Sequence, residues 1–260
     1  MVVWKDLVEF QGLWIGAHRG GAALGPENTL ETAMLGFQAG AHFWELDVQL
    51  SADGVPVVIH DETLARTTDA PVLYPQRRPW SVWDFTQAEL ETFAAIPGVW
   101  RIPTLREALA VTRRLQWLVN VEIKGRAEHH DRLVRETLAL ITELDMVPRV
   151  LLSSFHLGVL RRCREMHQEV KLGVVVKEAV KDPVRLVQDV KAFSFHPAQR
   201  HLRRETVRRC REAGVPVIAW TVNDAASAQK LHGWGVSAVI SDRPHELIEQ
   251  ETSKEDASSW

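Results

Sequence analysis

Two acidic residues of this 260-residue chain, Glu45 and Asp47, lie two positions apart in the apolar segment Phe43–Gln49. Side chains two positions apart point to the same face of a β-strand. The two carboxylates therefore share one face, and their apolar neighbours share the other. Glu122 and Lys124 repeat this spacing in a second apolar segment. Because apolar strand faces pack against other elements, we expect the polar faces of both strands to point into a common interior.

Three carboxylates in one weakly polar interior are costly unless positive charge compensates them. Carboxylate oxygens are the ligands that hard cations such as Mg²⁺ and Ca²⁺ prefer. We therefore predict that the three acids hold one divalent cation, either Mg²⁺ or Ca²⁺. The alternative is that they pair with Arg19, Lys124 or Arg66 and bind no metal.

Two of the eleven histidines, His18 and His60, follow strand-like segments and flank the acidic cluster. Imidazole titrates near neutrality, so such a pair can take a proton from a nucleophile and give one to a leaving alkoxide. Arg19 and Lys124 add fixed positive charge, which suits a phosphate whose charge grows in the transition state. No glycine-rich phosphate loop lies beside a suitable helix, so nucleotide binding is not indicated. The alternative is a structural role for either histidine.

The elements that must position these residues follow a regular alternation. Short β-branched runs alternate with amphipathic stretches, which is typical of βα units and a parallel sheet. The strand candidates are Trp14–His18, Phe43–Gln49, Val55–His60, Leu118–Ile123, Val150–Ser153, Leu172–Val176, Ala192–Phe195, Val215–Thr221 and Ala238–Ser241.

One candidate, Val55–His60, follows the preceding strand after only a few residues that include Asp53 and Gly54. A parallel crossover needs a dozen or more residues, whereas a hairpin needs few, and Asp-Gly favours a hairpin turn. This segment is therefore predicted to be antiparallel. Eight parallel strands remain, which predicts an α/β fold of a single (β/α)8 TIM barrel. Active sites of such barrels lie at the C-terminal ends of the strands, where the histidines and acids fall.

Helix signals support this organisation. Asn28, with Glu31 three residues later, predicts a helix N-cap, and Thr86–Glu89 and Thr104–Glu107 are capping boxes. We predict one domain, residues 1–250, with an insertion of about 61–103 after strand two and a frayed polar tail over 251–260. The tryptophans at positions 80, 83 and 100 form either a local core or an apolar wall for a lipid-like group.

The charge balance argues against a nucleic-acid partner, because 31 basic and 34 acidic residues leave a net charge of -3. No run approaches the roughly 20 apolar residues of a membrane span, and the N-terminus lacks the apolar stretch of a signal peptide. We expect a cytoplasmic protein without stable membrane insertion. Nothing in the sequence indicates an oligomeric state.

Taken in order, the motifs resemble those of the glycerophosphodiester phosphodiesterase family. The resemblance runs from about Ile15 to Leu247, nearly the whole chain. Each motif is short and unspecific alone, but the ordered set is highly specific. The matching segments are Ala17–Gly21, Pro26–Thr29, Glu45–Val48, Val58–Asp61, Leu64–Thr68, Ile102–Leu105, Glu122–Lys124, Ser153–Phe155, Trp220–Asn223 and Ser241–Pro244.

The resemblance implies a TIM barrel with a small insertion, and cleavage of a glycerophosphodiester to an alcohol and sn-glycerol 3-phosphate. It implies a divalent metal held by Glu45, Asp47 and Glu122. It also implies that His18 and His60 are the acid–base pair and that Arg19 and Lys124 contact the phosphate. His18 is assigned first as the base and His60 as the acid, but the reverse order remains open. The nucleophile is either the glycerol hydroxyl next to the phosphate or water.

Four further residues are expected to line the substrate pocket. They are Glu27, Phe155, His196 and Trp220. The predicted substrates are soluble glycerophosphodiesters, such as glycerophosphocholine or glycerophosphoethanolamine. The family's glycine-rich stretch is replaced here by Asp69–Pro75, so the leaving alcohol is not defined by the resemblance.

Two rival functions remain open. A sphingomyelinase D-like or lysophospholipase D activity would use a similar barrel on an intact lipid, but such enzymes are usually secreted and disulfide-bearing. A non-catalytic barrel that binds phosphodiesters is the rival of another class. Comparing the turnover of lysophosphatidylcholine with that of glycerophosphocholine separates the two enzymatic functions. Binding of a phosphodiester without product would support the non-catalytic barrel.

Overall fold

The computed structural model describes residues 2–10, 12–95 and 100–250. The tail predicted to fray, residues 251–260, lies outside the described residues, as does the segment 96–99 of the insertion.

Eight parallel strands form a nearly closed barrel, which confirms the predicted fold class. The sheet order is β10-β11-β1-β2-β6-β7-β8-β9, and two isolated parallel bridges, Phe195 with Val217 and Ala198 with Trp220, bring β9 beside β10. The strands are β1 (Trp14–Ala17), β2 (Phe43–Leu50), β3 (Pro56–Val58), β4 (Ala94–Ala95), β5 (Trp100–Arg101), β6 (Leu118–Ile123), β7 (Val150–Ser154), β8 (Lys171–Val176), β9 (Ser194–Pro197), β10 (Ile218–Trp220) and β11 (Ala238–Ser241).

Helices cover the outside of the barrel. Both predicted capping boxes are present, at Thr86 and at Thr104. The helices are α1 (Leu30–Gln38), α2 (Ala70–Leu73), α3 (Gln87–Leu90), α4 (Leu105–Arg114), α5 (Ala127–Glu143), α6 (Leu157–Met166), α7 (Pro183–Asp189), α8 (Arg204–Glu212) and α9 (Ala225–Trp234). A last helical segment covers 244–250.

The predicted hairpin is present, because β3 runs antiparallel to β2 with Val48 opposite Val58. Gly54 has φ +88° in the connecting turn, a conformation that favours glycine. Ser51 closes the turn through its hydroxyl, which accepts from Val55 N at 2.9 Å. The hairpin carries the chain from the end of β2 back over the mouth of the barrel towards His60.

Two strands begin later than predicted. Ala192 N donates to Val187 O, and Val215 N donates to Cys210 O. These bonds complete the C-terminal turns of α7 and α8. The β-branched and small residues that resembled strand starts therefore end the preceding helices, and β9 and β10 start at Ser194 and Ile218.

The strands separate two apolar cores. The larger core lies between barrel and helices and includes Trp44, Leu46 and Val48. The smaller core fills the lower interior, where Phe43 of the same strand packs with Trp4, which comes from the N-terminal 3-10 turn. This division confirms the predicted alternation along β2. The smaller core closes the bottom of the barrel.

The insertion has a third, separate apolar cluster around fully buried Phe85 and Phe93. Trp80 packs against this cluster, and its Nε1 donates to Tyr74 O at 2.7 Å. Among the described residues, none of the tryptophans at 80, 83 and 100 lines the central cavity. For Trp80, the local-core alternative is therefore the one observed.

Within the described part of the chain, no helix is both long enough and apolar enough to cross a bilayer.

Replacement of Trp44 by alanine tests the outer core. Trp44 is fully buried, stacks on Trp117 and donates from Nε1 to Thr112 Oγ1 at 2.9 Å. We expect W44A to lower the free energy of unfolding by about 3–5 kcal/mol, because a large cavity remains. Denaturant unfolding measures this loss. Val72→Ala, at a side chain that is 79% exposed, is the control, and an equally small effect at both positions would contradict the packing.

Candidate active site

The residues singled out above converge at the C-terminal mouth of the barrel, around a cavity of about 330 Å³. His18 and Arg19 follow β1, Glu122 belongs to β6, and Lys124 follows it closely. The cavity is lined by His18, Arg19, Glu45, Asp47, His60, Asn120, Glu122, Lys124, Ser153, Phe155, Val175, Lys177, His196, Trp220, Thr221 and Ile240.

Three carboxylates form the centre of the site. Asp47 and Glu122 are register partners on the neighbouring strands β2 and β6, and Glu45 lies one inward position below Asp47. Each of the three offers an oxygen, and these oxygens all lie within 4.8 Å of one another. Exposure is only 3%, 1% and 9% for Glu45, Asp47 and Glu122. The mutual repulsion of three carboxylates that are so shielded from water must be compensated by positive charge.

Two cations supply part of that compensation. Lys124 Nζ lies 2.8 Å from Glu122 Oε1 and 3.3 Å from Asp47 Oδ1. Arg19 Nε lies 3.4 Å from Asp47 Oδ2. Burial opposes ionisation of Asp47, but Lys124 and Arg19 outweigh it and hold the pKa of Asp47 below its ordinary value. The alternative named in the sequence analysis, ion pairing of the acids with basic side chains, is therefore partly observed at Asp47 and Glu122.

Among the described residues, no lysine or arginine forms an ion pair with Glu45, and His18 Nε2 lies 3.9 Å from Glu45 Oε2. Burial, followed by the neighbouring Asp47 carboxylate, raises the pKa of Glu45 to about 8. Burial also raises the pKa of Glu122. At neutral pH the protein groups alone therefore favour a proton on the cluster, because three carboxylates face two cations.

The donor set fits a hard divalent cation. The three groups are all carboxylates, the ligands that Mg²⁺ and Ca²⁺ prefer. Glu122 Oε1 is buried and receives no well-aligned hydrogen bond, although Lys124 Nζ is near it. A cation bound between the three carboxylates would supply the missing positive charge and a partner for this oxygen.

Asn28 fixes the orientation of Asp47. Its Nδ2 donates to Asp47 Oδ2 at 2.9 Å, and its Oδ1 accepts from Asp47 N at 3.1 Å. The prediction that Asn28 caps α1 is wrong, because Thr29 caps that helix by accepting from Thr32 N. Asn28 has φ +61°, which turns its side chain into the barrel instead. A local capping pattern could not reveal this contact with a residue 19 positions away.

A tight turn places Arg19 beside the cluster. Arg19 has φ +52°, and the next two residues, Gly20 and Gly21, also have positive φ. In this conformation Arg19 N donates to Glu45 Oε2 at 3.0 Å. The two glycines accept the left-handed backbone that most side chains disfavour, so they allow the backbone donor to reach the carboxylate.

His18 is held by a carboxylate that the sequence analysis did not assign to the site. Its Nδ1 donates to Asp242 Oδ1 at 2.6 Å, and Asn223 Nδ2 donates to Asp242 Oδ2 at 2.8 Å. Burial alone would lower the pKa of His18, but the Asp242 hydrogen bond and the Glu45 charge raise it above its ordinary value. Asp242 directly follows β11, so its position at a strand end was the available signal.

His60 is held differently. Its Nδ1 donates to Asp61 Oδ1 at 2.6 Å, and Arg66 Nε donates to Asp61 Oδ2 at 2.6 Å. The Arg66 hydrogen bonds lower the pKa of Asp61 to about 2. Burial lowers the pKa of His60, although Asp47 acts in the opposite direction. Nδ1 is engaged in both histidines, which leaves Nε2 for chemistry in the cavity.

Glu27 lies behind the site. It accepts from Arg19 Nη1 at 2.7 Å and from both terminal nitrogens of Arg66. Among the described residues it is absent from the cavity lining, where it was expected. Its contacts make it a link between Arg19 at the cluster and Arg66 in the insertion.

The remaining predicted pocket residues form one wall of the cavity. Phe155 and Trp220 pack edge to face with ring centroids 5.6 Å apart, and Trp220 Nε1 donates to His196 O at 2.9 Å. His196 is buried beside Gly173, where an added Cβ would lie 2.5 Å from its Nε2. Burial lowers the pKa of His196 to about 3, so the ring is neutral at neutral pH.

Comparison with known proteins agrees with this geometry. The model of the "Glycerophosphoryl diester phosphodiesterase family" matches residues 18–246. A glycerophosphodiester phosphodiesterase of Caldanaerobacter subterraneus subsp. tengcongensis is 33% identical over 239 residues, which cover 89% of this chain and 95% of that protein. A glycerophosphodiester phosphodiesterase of Bacillus altitudinis is 30% identical, covering 90% of this chain and 96% of that protein.

Solved structures show the same relationship. A phosphodiesterase of Oleispira antarctica, in complex with the product sn-glycerol-3-phosphate, is 28% identical, has a TM-score of 0.83, and is matched over 91% of this chain and 95% of that chain. A glycerophosphodiester phosphodiesterase of Thermotoga maritima is 28% identical, with a TM-score of 0.75 and coverage of 92% and 98%. The chain therefore belongs to the glycerophosphodiester phosphodiesterase family and is a phosphoric diester hydrolase.

Proposed function

We propose that this enzyme hydrolyses soluble glycerophosphodiesters to an alcohol and sn-glycerol 3-phosphate, and that it requires a divalent cation, Mg²⁺ or Ca²⁺. The observation that carries the proposal is the arrangement of two imidazoles and two cations around three buried carboxylates in one cavity. The Oleispira antarctica neighbour, whose structure contains sn-glycerol-3-phosphate, supports the same product here.

Glu45, Asp47 and Glu122 would hold the cation. When bound, it adds positive charge that polarises a phosphoryl oxygen. Lys124 and the Arg19 guanidinium lie beside the same carboxylates, so they can contact the remaining phosphate oxygens and stabilise their growing charge. The Asn28 clamp keeps the Asp47 carboxylate in one orientation, and the Glu27 ion pair restricts Arg19.

The histidine partners favour one division of roles. Among the described residues, no lysine or arginine forms an ion pair with Asp242, and Arg19 acts on it only from a longer distance, so the charge of Asp242 chiefly stabilises an imidazolium at His18. The charge of Asp61 is shared with Arg66, which leaves His60 more readily neutral. We therefore assign His18 as the acid that protonates the leaving oxygen and His60 as the base that activates the nucleophile. This is the reverse of the order considered first, and both water and the adjacent glycerol hydroxyl fit it as the nucleophile.

Metal removal and restoration tests the reaction and the cofactor together. Chelator-treated protein is expected to release no sn-glycerol 3-phosphate from glycerophosphocholine until Mg²⁺ or Ca²⁺ is added, as measured by an enzyme-coupled assay. E45Q and D47N should remove this activity with the fold retained, whereas the exposed Glu143→Gln is the matched control.

Full turnover after chelation would contradict metal dependence. Failure with both metals would contradict the substrate, and turnover of lysophosphatidylcholine would then support the lysophospholipase D alternative.

Cation binding should release a proton. Because the pKa of Glu45 is raised to about 8, the metal-free cluster carries a proton at pH 7 that a bound cation must displace. Affinity should therefore rise with pH up to about pH 8 and then level off. Calorimetry in two buffers of different ionisation enthalpy is expected to report net proton release at pH 7 and less release at pH 9. Equal heats in both buffers at pH 7 would contradict this protonation state.

Substitution of the histidines tests the acid–base pair. H18A and H60A are each expected to reduce kcat by about 10²- to 10⁴-fold, the typical contribution of a lost acid–base group, while binding of sn-glycerol 3-phosphate changes little. Steady-state kinetics and calorimetry give the two quantities. His201→Ala, on a histidine that pairs with Glu178 outside the cavity, should leave kcat unchanged. Near wild-type kcat in H18A or H60A would remove that residue from the mechanism.

A further inference from the structure

The active-site cavity adjoins a second cavity at the C-terminal ends of β8, β9 and β10. The second cavity has a volume of about 270 Å³. Three residues, Lys177, Trp220 and Thr221, line both cavities. The rest of the described lining of the second cavity is formed by Ala198, Gln199 and Arg200. Because the two spaces share side chains, a substituent of a phosphodiester bound at the carboxylate cluster can extend into the second cavity.

The wall between the two cavities is held by hydrogen bonds between neighbouring strand ends. Trp220 pairs with Ala198 through a parallel bridge, and Trp220 Nε1 donates to His196 O at 2.9 Å. Gln199 Nε2 donates to Thr221 O at 2.6 Å. The chain segments that follow β9 and β10 are therefore tied together, and the second cavity is a defined part of the barrel mouth.

The proposed mechanism directs the leaving alcohol towards this side of the mouth. His18, which protonates the leaving oxygen in that mechanism, follows β1. Only β11 separates β1 from β10 in the sheet, and Trp220 is the last residue of β10. An alcohol that leaves beside His18 can therefore lie along Trp220 and reach Lys177.

The second cavity carries positive charge. Lys177 follows β8, is exposed, and forms no ion pair with the residues that the structure describes. Arg200 lies in the turn after β9, and its Nη2 is 3.7 Å from Glu178 Oε1. Both side chains of this pair are more than half exposed, so their attraction is weak. The described lining of the second cavity thus contains two cations and no acid.

The acids of the first cavity do not offset this charge. In the described lining of both cavities, the only acids are the three carboxylates of the cluster. Lys124 and Arg19 lie beside them, and the proposed divalent cation adds further positive charge. Together with the anionic phosphodiester, these charges are close to balance. Lys177 and Arg200 therefore determine the sign of the local field that the end of the leaving alcohol meets.

The aromatic side chains at the boundary are poorly placed to bind a cationic alcohol. The faces of Phe155 and Trp220 are the groups that would attract an ammonium. Lys124 Nζ already lies 5.5 Å from the centroid of the Phe155 ring. The planes of Phe155 and Trp220 meet at 89°, so the two rings do not form facing walls. A choline group at this boundary would lie near both Lys124 and Lys177.

We propose that Lys177, with Arg200 behind it, selects leaving alcohols that carry an anionic group, such as a carboxylate, over alcohols that carry an ammonium. The inference rests on the proposed function and deepens it, because it names the class of alcohol. Lys177 lines both cavities and contributes most, whereas Arg200 lines only the second. Glycerophosphocholine is then cleaved, but less efficiently than a diester of an anionic alcohol.

Three glycerophosphodiesters of similar size test the selection. They release 3-hydroxypropanoate, propane-1,3-diol or 3-aminopropanol, which end in a carboxylate, a hydroxyl and an ammonium at pH 7. The measured quantity is the ratio of kcat/KM for the carboxylate diester to kcat/KM for the ammonium diester. Comparing this ratio between variants cancels the intrinsic reactivity of the alcohols.

Loss of the lysine charge should reduce the ratio. K177Q is expected to lower it by about three- to tenfold, the order expected of a charge at an exposed site. K177E should lower it further, and R200Q should lower it less than K177Q. Turnover of the propane-1,3-diol diester should change least. The wild-type ratio should also fall as salt is added, because exposed charges are screened, and K177Q should lose most of this salt dependence.

Lys230→Glu is the matched control. It makes the same change in net charge as K177E, at an exposed lysine of α9 that lies outside the described lining of both cavities. K230E should keep the wild-type ratio. If K177Q and K177E also keep it, the selection is wrong. An equal decrease in K230E and K177E would show that only net charge acts, which also overturns the assignment to Lys177.

Binding distinguishes failure of this inference from failure of the proposed function. If none of the three diesters is cleaved, the proposed reaction is overturned, and calorimetry of the same diesters on the metal-loaded protein tests the selection without turnover. Tighter binding of the carboxylate diester than of the ammonium diester, with the difference lost in K177E, would support the selection. Equal affinities, or no binding of any diester, would overturn it.

Discussion

The burial of three carboxylates within reach of one another is the constraint on which the rest of the active end depends. Glu45, Asp47 and Glu122 are held there by the strands themselves, because their inward positions on β2 and β6 are set by the register. Every group around them either reduces their repulsion or orients them. Lys124 and Arg19 offset part of the negative charge, and the Arg19 backbone donates to Glu45. The proposed divalent cation would complete the balance.

The compensating groups are themselves restrained, and this links the insertion to the barrel. Arg66 bridges Asp61, which holds His60, and Glu27, which holds Arg19. Arg66 is half exposed, so its ion pairs contribute modestly to stability. Their effect is geometric, since one guanidinium from the insertion orients a histidine and a cation that belong to different parts of the mouth.

The sequence predicted those parts of the site that depend on a short, strict period. Alternation along β2 has a period of two, so the apolar Trp44, Leu46 and Val48 determine where Glu45 and Asp47 point. The link of five residues between Gln49 and Val55 left only a hairpin. In contrast, the roles of Asn28 and Asp242 depend on contacts across 19 and 224 positions. Their local signals were a capping pattern and a strand end, and neither identifies a partner that distant in the chain.

The cavity is divided by charge in a way that the individual motifs did not indicate. Around β1, β2 and the hairpin, nearly every lining side chain is ionisable, and these groups suit a phosphate. Around β7, β8 and β9, the deep part of the described lining, at Ser153, Val175 and His196, is uncharged, and Lys177 adds a positive charge where the cavity opens. A phosphodiester has the same division, with one anionic centre and two substituents. Because burying a neutral group beside a partner is far cheaper than burying a charge, an anionic centre is better suited to the ionisable half of the cavity than to the uncharged part.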